Sequence, residues 1–290
     1  MGNIATTFSQ QIALLESRGM VFDFEPNKVK EILLDIGYYR LGFYWHPFVI
    51  DDEHNLITGT KFSDVVNLYY LDVDLRNTLM KYLNRIEINF RTNIVYYVSN
   101  KYRTNPYWFI DPRIINQSFI NDFDKYYSEE FRKTNKPIKM HHRKYLNDKY
   151  APAWKTLEFF SFGIMLRIFR NLHDEEIKSR ISKIYNVNNL SKFISLMDTL
   201  VLLRNTCAHG GVMFDLKVPK GISKIPELEF NNNDRMSLDS SIKVVLYILG
   251  KISISRKQNM EAEINAIFEK YRNDGIVKNI ITNKINFIYK

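Results

Sequence analysis

From Ser63 to about Asn100 the chain has no proline or glycine, and Val66, Tyr69, Val73, Leu79, Leu83, Ile86, Phe90, Ile94 and Tyr97 keep helical spacing throughout. One long helix, straight or kinked, is the simplest structure for that pattern. It carries Arg76, Arg85, Glu87 and Arg91 among its apolar residues. Glu87 and Arg91 stand one helical turn apart, so the plain expectation is that they pair with each other.

The rest of the chain supports the same class. Only 11 Gly and 8 Pro in 290 residues, with apolar positions three and four apart, predict a mainly α protein. Pro26 opens a helix whose face is Val29, Ile32, Leu33 and Ile36, and Gly37 supplies its left-handed stop. Between Trp45 and Thr60, short apolar runs flank an Asp-Asp-Glu-His-Asn turn, which leaves room for one small β-hairpin. Further helices are expected at Trp154 to Asn171, Leu190 to Ala208 and Leu238 to Ile252, and around Ile264 to Tyr271. Leu200 to Leu203 make the end of the Leu190 helix apolar all round, so that end should be buried. The resulting division is an N-terminal helical extension with the hairpin (1–60), a helical core (61–260) and a C-terminal helical tail (261–290). A basic loop or mobile insertion near 131–150 interrupts the core.

Charge and cysteine content narrow the partners. Forty-one Lys and Arg against 32 Asp and Glu give a net charge of +9, which favours a polyanion or an acidic surface. The lone cysteine, Cys207, excludes an internal disulfide and a Cys-rich zinc site, and points to a reducing, cytoplasmic setting. The first twenty residues lack the pattern of a secretory leader. The most apolar window, Ile242 to Leu249, is too short to span a bilayer, so no membrane partner is expected.

Metal-independent cleavage of RNA needs a group to take the ribose 2′-OH proton, a group to protonate the leaving 5′-oxygen, and a cation for the phosphorane charge. Imidazole and guanidinium supply these. An Arg followed after four to six residues by a His occurs about once by chance in a chain of this composition. It occurs three times here: Arg40 with His46, Arg167 with His173, and Arg204 with His209. The first lies in an aromatic segment that leaves a helix, and the second near a polar helix end where a capping or surface His is ordinary. The third follows the most apolar helical turn, has Asn205 beside the Arg as a further phosphate or water ligand, and is followed by Gly210 and Gly211. A five-residue offset puts Arg204 and His209 about 140° apart on a regular helix. A shared site therefore requires either a distorted helix end or a second copy of the chain. The structural alternative is that both side chains serve carbonyls at a helix C-terminus.

Four blocks of sequence add a family. Leu-Glu-Ser-Arg-Gly-Met (15–20), Ile-Gly-Tyr-Tyr-Arg-Leu (36–41) with the following Phe-Tyr-Trp-His-Pro-Phe, the block from Ala151 to Gly163, and the Arg204–Gly211 stretch resemble the Abi-like proteins of bacterial abortive-infection systems, the AbiD and AbiF group. The resemblance runs from about residue 11 to 250. It implies a HEPN-type helical bundle and antiphage or toxin-antitoxin defence by a metal-independent endoribonuclease. Arg204, Asn205 and His209 match the family motif as catalytic residues. The products implied are a 2′,3′-cyclic phosphate and a 5′-OH, with RNA as substrate or as a noncoding regulator.

Other residues are candidates for holding RNA. Arg132, Lys133, Lys136, Lys139, Arg143 and Lys144, interleaved with His141, His142 and Tyr145, are the best backbone contacts. Arg40 adds a clamp, and Tyr38 and Tyr39 stacking faces, although core packing is the plainer role for the tyrosines. Trp154 and Glu158 fit packing and pairing better than catalysis. No third His or Cys joins His141 and His142, so no metal and no other cofactor is expected. A homodimer is expected, and with no helix-turn-helix apparent, DNA is not an expected partner. The competing reading is a non-catalytic RNA-binding or protein-interaction module of a defence system.

Overall fold

In the computed structural model, which describes residues 4–289, the long periodic run is a single uninterrupted helix. Three helices precede it: α1 (Phe8–Ser17), α2 (Pro26–Asp35) and α3 (Tyr38–Trp45). The long helix is α4 (Phe62–Lys101). At 40 residues it is about 60 Å long and forms the axis of the molecule. The short α5 (Gln117–Asn121), α6 (Phe123–Tyr126), α7 (Glu129–Thr134), α8 (Lys136–Lys144) and α9 (Ala153–Thr156) follow. Longer helices complete the chain: α10 (Phe162–Asn171), α11 (Glu175–Ile184), α12 (Leu190–Ala208), α13 (Leu238–Ile252), α14 (Ile254–Glu269) and α15 (Gly275–Ile280). The mainly α expectation holds, and among the described residues β pairing is limited to isolated bridges.

α4 is buried over most of its surface because α3, α10, α11, α12, α13, α14 and α15 all touch it, while one stripe through Tyr70, Asn77, Lys81, Asn84, Ile88, Thr92 and Tyr96 stays exposed. Leu68, Leu71, Leu75, Leu79, Leu83, Ile86, Phe90 and Ile94 are fully buried. Cover on every face but that stripe explains why its apolar pattern is wide. It also forces the helix's charged residues inward. Asp72, Arg76, Glu87 and Arg91 are all buried, and each carboxylate has its arginine one turn further on, which is how charge becomes tolerable in a core.

Several local expectations hold. Pro26 opens α2, Val29, Ile32 and Leu33 are its buried face, and Gly37 takes φ +91°. α12 and α13 have the expected limits, with Asn189 and Ser237 as side-chain N-caps.

Others need correction. The Trp45–Thr60 segment makes one antiparallel bridge, Val49 with Leu56, and no strands. Pairing stops there because the Leu56 amide donates instead to the Arg18 carbonyl (2.8 Å), while Asp51 closes the turn on the Glu53 and Asn55 amides. The expected helix from Trp154 to Asn171 is broken between α9 and α10, where Phe160 is extended (φ −84°, ψ 141°) and its carbonyl accepts from Arg91. Most of the 131–150 segment is helical, as α7 and α8, and 145–150 is turn and bend. Pro137 lies in the first turn of α8, and Ile138 and His141, one turn apart, are buried while the cations face outward. The end of α12 is buried on one side only: Leu200, Leu203 and Cys207 are covered, whereas Asn205, Ala208 and His209 are exposed. No helix among the described residues is long and apolar enough to cross a membrane.

Candidate active site

α12 runs antiparallel to α4, and this brings the Arg204–His209 stretch against α4's buried charges. The Arg204 Nε donates to Glu87 Oε2 (3.1 Å), and its Nη1 donates to Asn205 Oδ1 (3.2 Å). Glu87's other oxygen accepts from Arg91 Nη2 (2.9 Å), which also donates to the Phe160 carbonyl (2.9 Å). Glu158, largely exposed, lies 3.7 Å from Arg91 Nη1. Arg204 is thus held by its inner nitrogen, its side chain is a quarter exposed, and its guanidinium carries further N–H groups beyond these two bonds.

The helix does not distort before the histidine. The His209 amide keeps its bond to the Asn205 carbonyl (3.0 Å), and His209 is the C-cap. The turn comes after it, where Gly210 takes φ +65°, its amide reaches the Cys207 carbonyl (3.3 Å), and the Gly211 amide reaches the Thr206 carbonyl (2.8 Å). This is a Schellman cap, and both glycines are required by it. A Cβ on Gly211 would lie 2.6 Å from Thr206 Cγ2. Arg204 and His209 therefore keep their wide angular separation. The His209 ring is exposed and, among the described residues, has no hydrogen-bond partner.

Beyond the cap, a second buried network fixes the chain. Asp72 accepts from the Met213 amide (2.6 Å), the Phe214 amide (3.0 Å) and the Tyr44 hydroxyl (3.2 Å). Arg76 donates to the Gly211 carbonyl (3.0 Å), and Arg40 donates to the Gly210 carbonyl and to Tyr44 Oη (3.3 Å). Burial pushes the Asp72 carboxyl up to about 6, against the pull of the Met213 amide and Arg76. Burial likewise pushes the Cys207 thiol up to about 12, so Cys207 is a packing residue here and not a nucleophile.

The fold thus gathers Arg40, Arg204, Asn205 and His209 at one end of α12. It does not give Arg40 a free guanidinium, since that group clamps the turn after the motif. Arg132, Lys133, Lys136, Lys139, Arg143 and Lys144 lie apart on α7 and α8, all exposed, and Lys133 pairs with Glu129 (2.6 Å). That helix pair leans on the site's neighbourhood through Phe131, whose ring packs on Phe160 (5.6 Å). His141 and His142 point inward, to Asp148 Oδ2 (2.9 Å) and Tyr127 Oη (2.8 Å). Arg167 binds Asp122 (2.8 Å) and His173 is exposed, in keeping with the structural reading of that pair.

Glu87 and Arg91 pair as expected, but the contact of Glu87 with Arg204 was missed, as were the roles of Asp72, Arg76 and Tyr44. The only sequence signal was the presence of buried-pattern charges on an otherwise apolar helix. A family model described as Abi-like protein matches residues 31–215. The chain belongs to the Abi-like family. No curated protein and no solved structure matches it. The matched region of this Abi-like chain runs from α2 through the C-terminal cap of α12, so it contains Arg40, all of α4 and the whole Arg204–Gly211 stretch. Family membership points to abortive-infection defence.

Proposed function

We propose that this Abi-like chain is a HEPN-type, metal-independent endoribonuclease of antiphage defence. The observation that carries the reading is Arg204 held at its Nε by buried Glu87, with its outer N–H groups, Asn205 and the exposed His209 at the same helix end. A guanidinium so anchored loses little freedom on gripping a phosphate, and it is placed to offset charge on a phosphorane.

In the reaction proposed, the 2′-oxygen of one ribose attacks the adjacent phosphorus and gives its proton to an imidazole. The P–O5′ bond breaks, and a second imidazole protonates the leaving oxygen, yielding a 2′,3′-cyclic phosphate and a 5′-OH. Each chain offers one His209. Because α12 stays regular up to that residue, two chains meeting at this helix end supply both imidazoles and both arginines. Asn205 orients the phosphate. The cations of α7 and α8 hold the RNA backbone further along.

The test is cleavage of total RNA by purified chain in EDTA, comparing wild type with Arg204→Ala and His209→Ala. Cutting by wild type alone, with cyclic phosphate ends, is the expected result; a metal requirement overturns the mechanism. One observation favours a binding module instead: the Schellman cap and its Arg40 and Arg76 clamps account structurally for Gly210 and Gly211. RNA held equally by all variants and cut by none would establish that reading.

A further inference from the structure

The residues that follow the motif turn back along α3 and form with it an open groove of about 620 Å³. Its walls are aromatic. Tyr39, 82% exposed, stands edge-on to Phe43 with ring centroids 5.5 Å apart, and Phe214 lines the groove with them. Among the described residues Tyr39 is left largely uncovered, contrary to the expectation that it would pack in the core; Tyr38 does pack, against Trp45 (4.9 Å). His46, Asp215 and Lys284 line it too. Lys284 Nζ lies 3.3 Å from Asp215 Oδ1, and Lys217, outside the lining, reaches the Lys284 carbonyl oxygen (3.4 Å).

The groove is tied directly to the motif. Arg40, next in sequence to Tyr39, donates to the carbonyl of Gly210, the residue after His209. Asp72 then fixes Met213 and Phe214. The aromatic wall and the Arg204–His209 helix end are thereby held as one rigid piece through buried hydrogen bonds.

We propose that this groove seats one unpaired nucleobase of a bound RNA, next to the phosphate at the Arg204–His209 helix end. The base stacks on Tyr39 and Phe43, and Lys217 and Lys284 face the neighbouring phosphates. The inference rests on the RNA reading above and deepens it. Flat, exposed aromatic rings beside cations are what a single strand requires: a face for the base and charge for its backbone. The lone rim carboxylate, Asp215, accepts from base amino groups. The Lys284 ammonium in the lining, with Lys217 beside that residue's carbonyl, complements a polyanion better than it does a second chain of net charge +9.

The test uses full-length His209→Ala chain, so that binding is read without cleavage. Its affinity for a single-stranded oligoribonucleotide carrying 2-aminopurine is measured by anisotropy, alone and with Tyr39→Ala plus Phe43→Ala. The expected result is a loss of about ten-fold or more, together with loss of the 2-aminopurine quench on binding. Tyr39→Phe should retain both. Both rings are exposed, so melting temperatures should match, and a variant that does not fold is replaced by Tyr39→Ala alone. Unchanged affinity and quench overturn the proposal. So does light scattering that shows the double variant falling from dimer to monomer, which would make the groove a subunit contact. A wild type that cuts nothing while base-dependent binding persists defeats the nuclease reading and leaves the groove standing. A chain that binds no RNA defeats both.

Discussion

Cys207 sits inside the motif, yet its thiol, pushed up to about 12 by burial, is not available as a thiolate. Iodoacetamide at about pH 8 should leave the folded chain unmodified and alkylate it fully in denaturant, as mass spectrometry would show. Asp72 gives a pH signature. Its folded carboxyl titrates at about 6, above the roughly 3.9 of an unfolded aspartate, so between those values the folded chain holds a proton that the unfolded chain has lost. Stability from this group therefore falls as pH rises from about 4 towards 6 and is level above. Melting wild type against Asp72→Asn across that range should show the difference shifting in favour of wild type as pH falls. Gly210→Ala should cost on the order of 1 kcal/mol in denaturant melts, because alanine resists the +65° φ of the cap. The need for glycine at 210 was legible in the sequence as a glycine pair after a helical run. Asp72's role was not, because the Met213 and Phe214 amides it holds lie more than a hundred residues away in the chain.

At the scale of elements, the α4–α12 pairing decides the site. Glu87 meets Arg91 one turn away and Arg204 on the other helix. Removing this carboxylate strands the buried Arg91 and the partly exposed Arg204, so Glu87→Ala should destabilise by about 3 kcal/mol. Glu87→Gln keeps an acceptor and is the better probe. It should leave a folded chain whose RNA cleavage is reduced through kcat, since only the hold on Arg204 is weakened. The α7–α8 pair predicts a different phenotype. Replacing Lys136, Lys139, Arg143 and Lys144 by Glu should weaken RNA binding and flatten its dependence on salt while the fold is kept, because these side chains are exposed and Ile138 and His141 hold the helix. The alternation of cations with Ile138 and His141 already carried that helix in the sequence. Its density of charge suggested a loop, and burial of one face is what makes it a helix.

At the scale of the molecule, the regular end of α12 keeps Arg204 and His209 on separate faces, and the function proposed above completes one site from two chains. Adding an excess of inactive Arg204→Ala/His209→Ala double-variant chain to wild type tests this. Mixed dimers then lack one histidine and one arginine, so cleavage per wild-type chain should fall, whereas it stays constant if each chain works alone. The sequence by itself determined the helical class, the long axis of α4, the limits of α12 and α13, and the residue types fit for phosphate chemistry, because periodicity and glycine or proline placement act locally. Only the tertiary structure decided which charge faces which. Glu87 reaches Arg204, Asp72 reaches Met213, and Arg40 closes on Gly210 because packed helices bring distant residues within hydrogen-bond range, and no spacing along the chain encodes that contact.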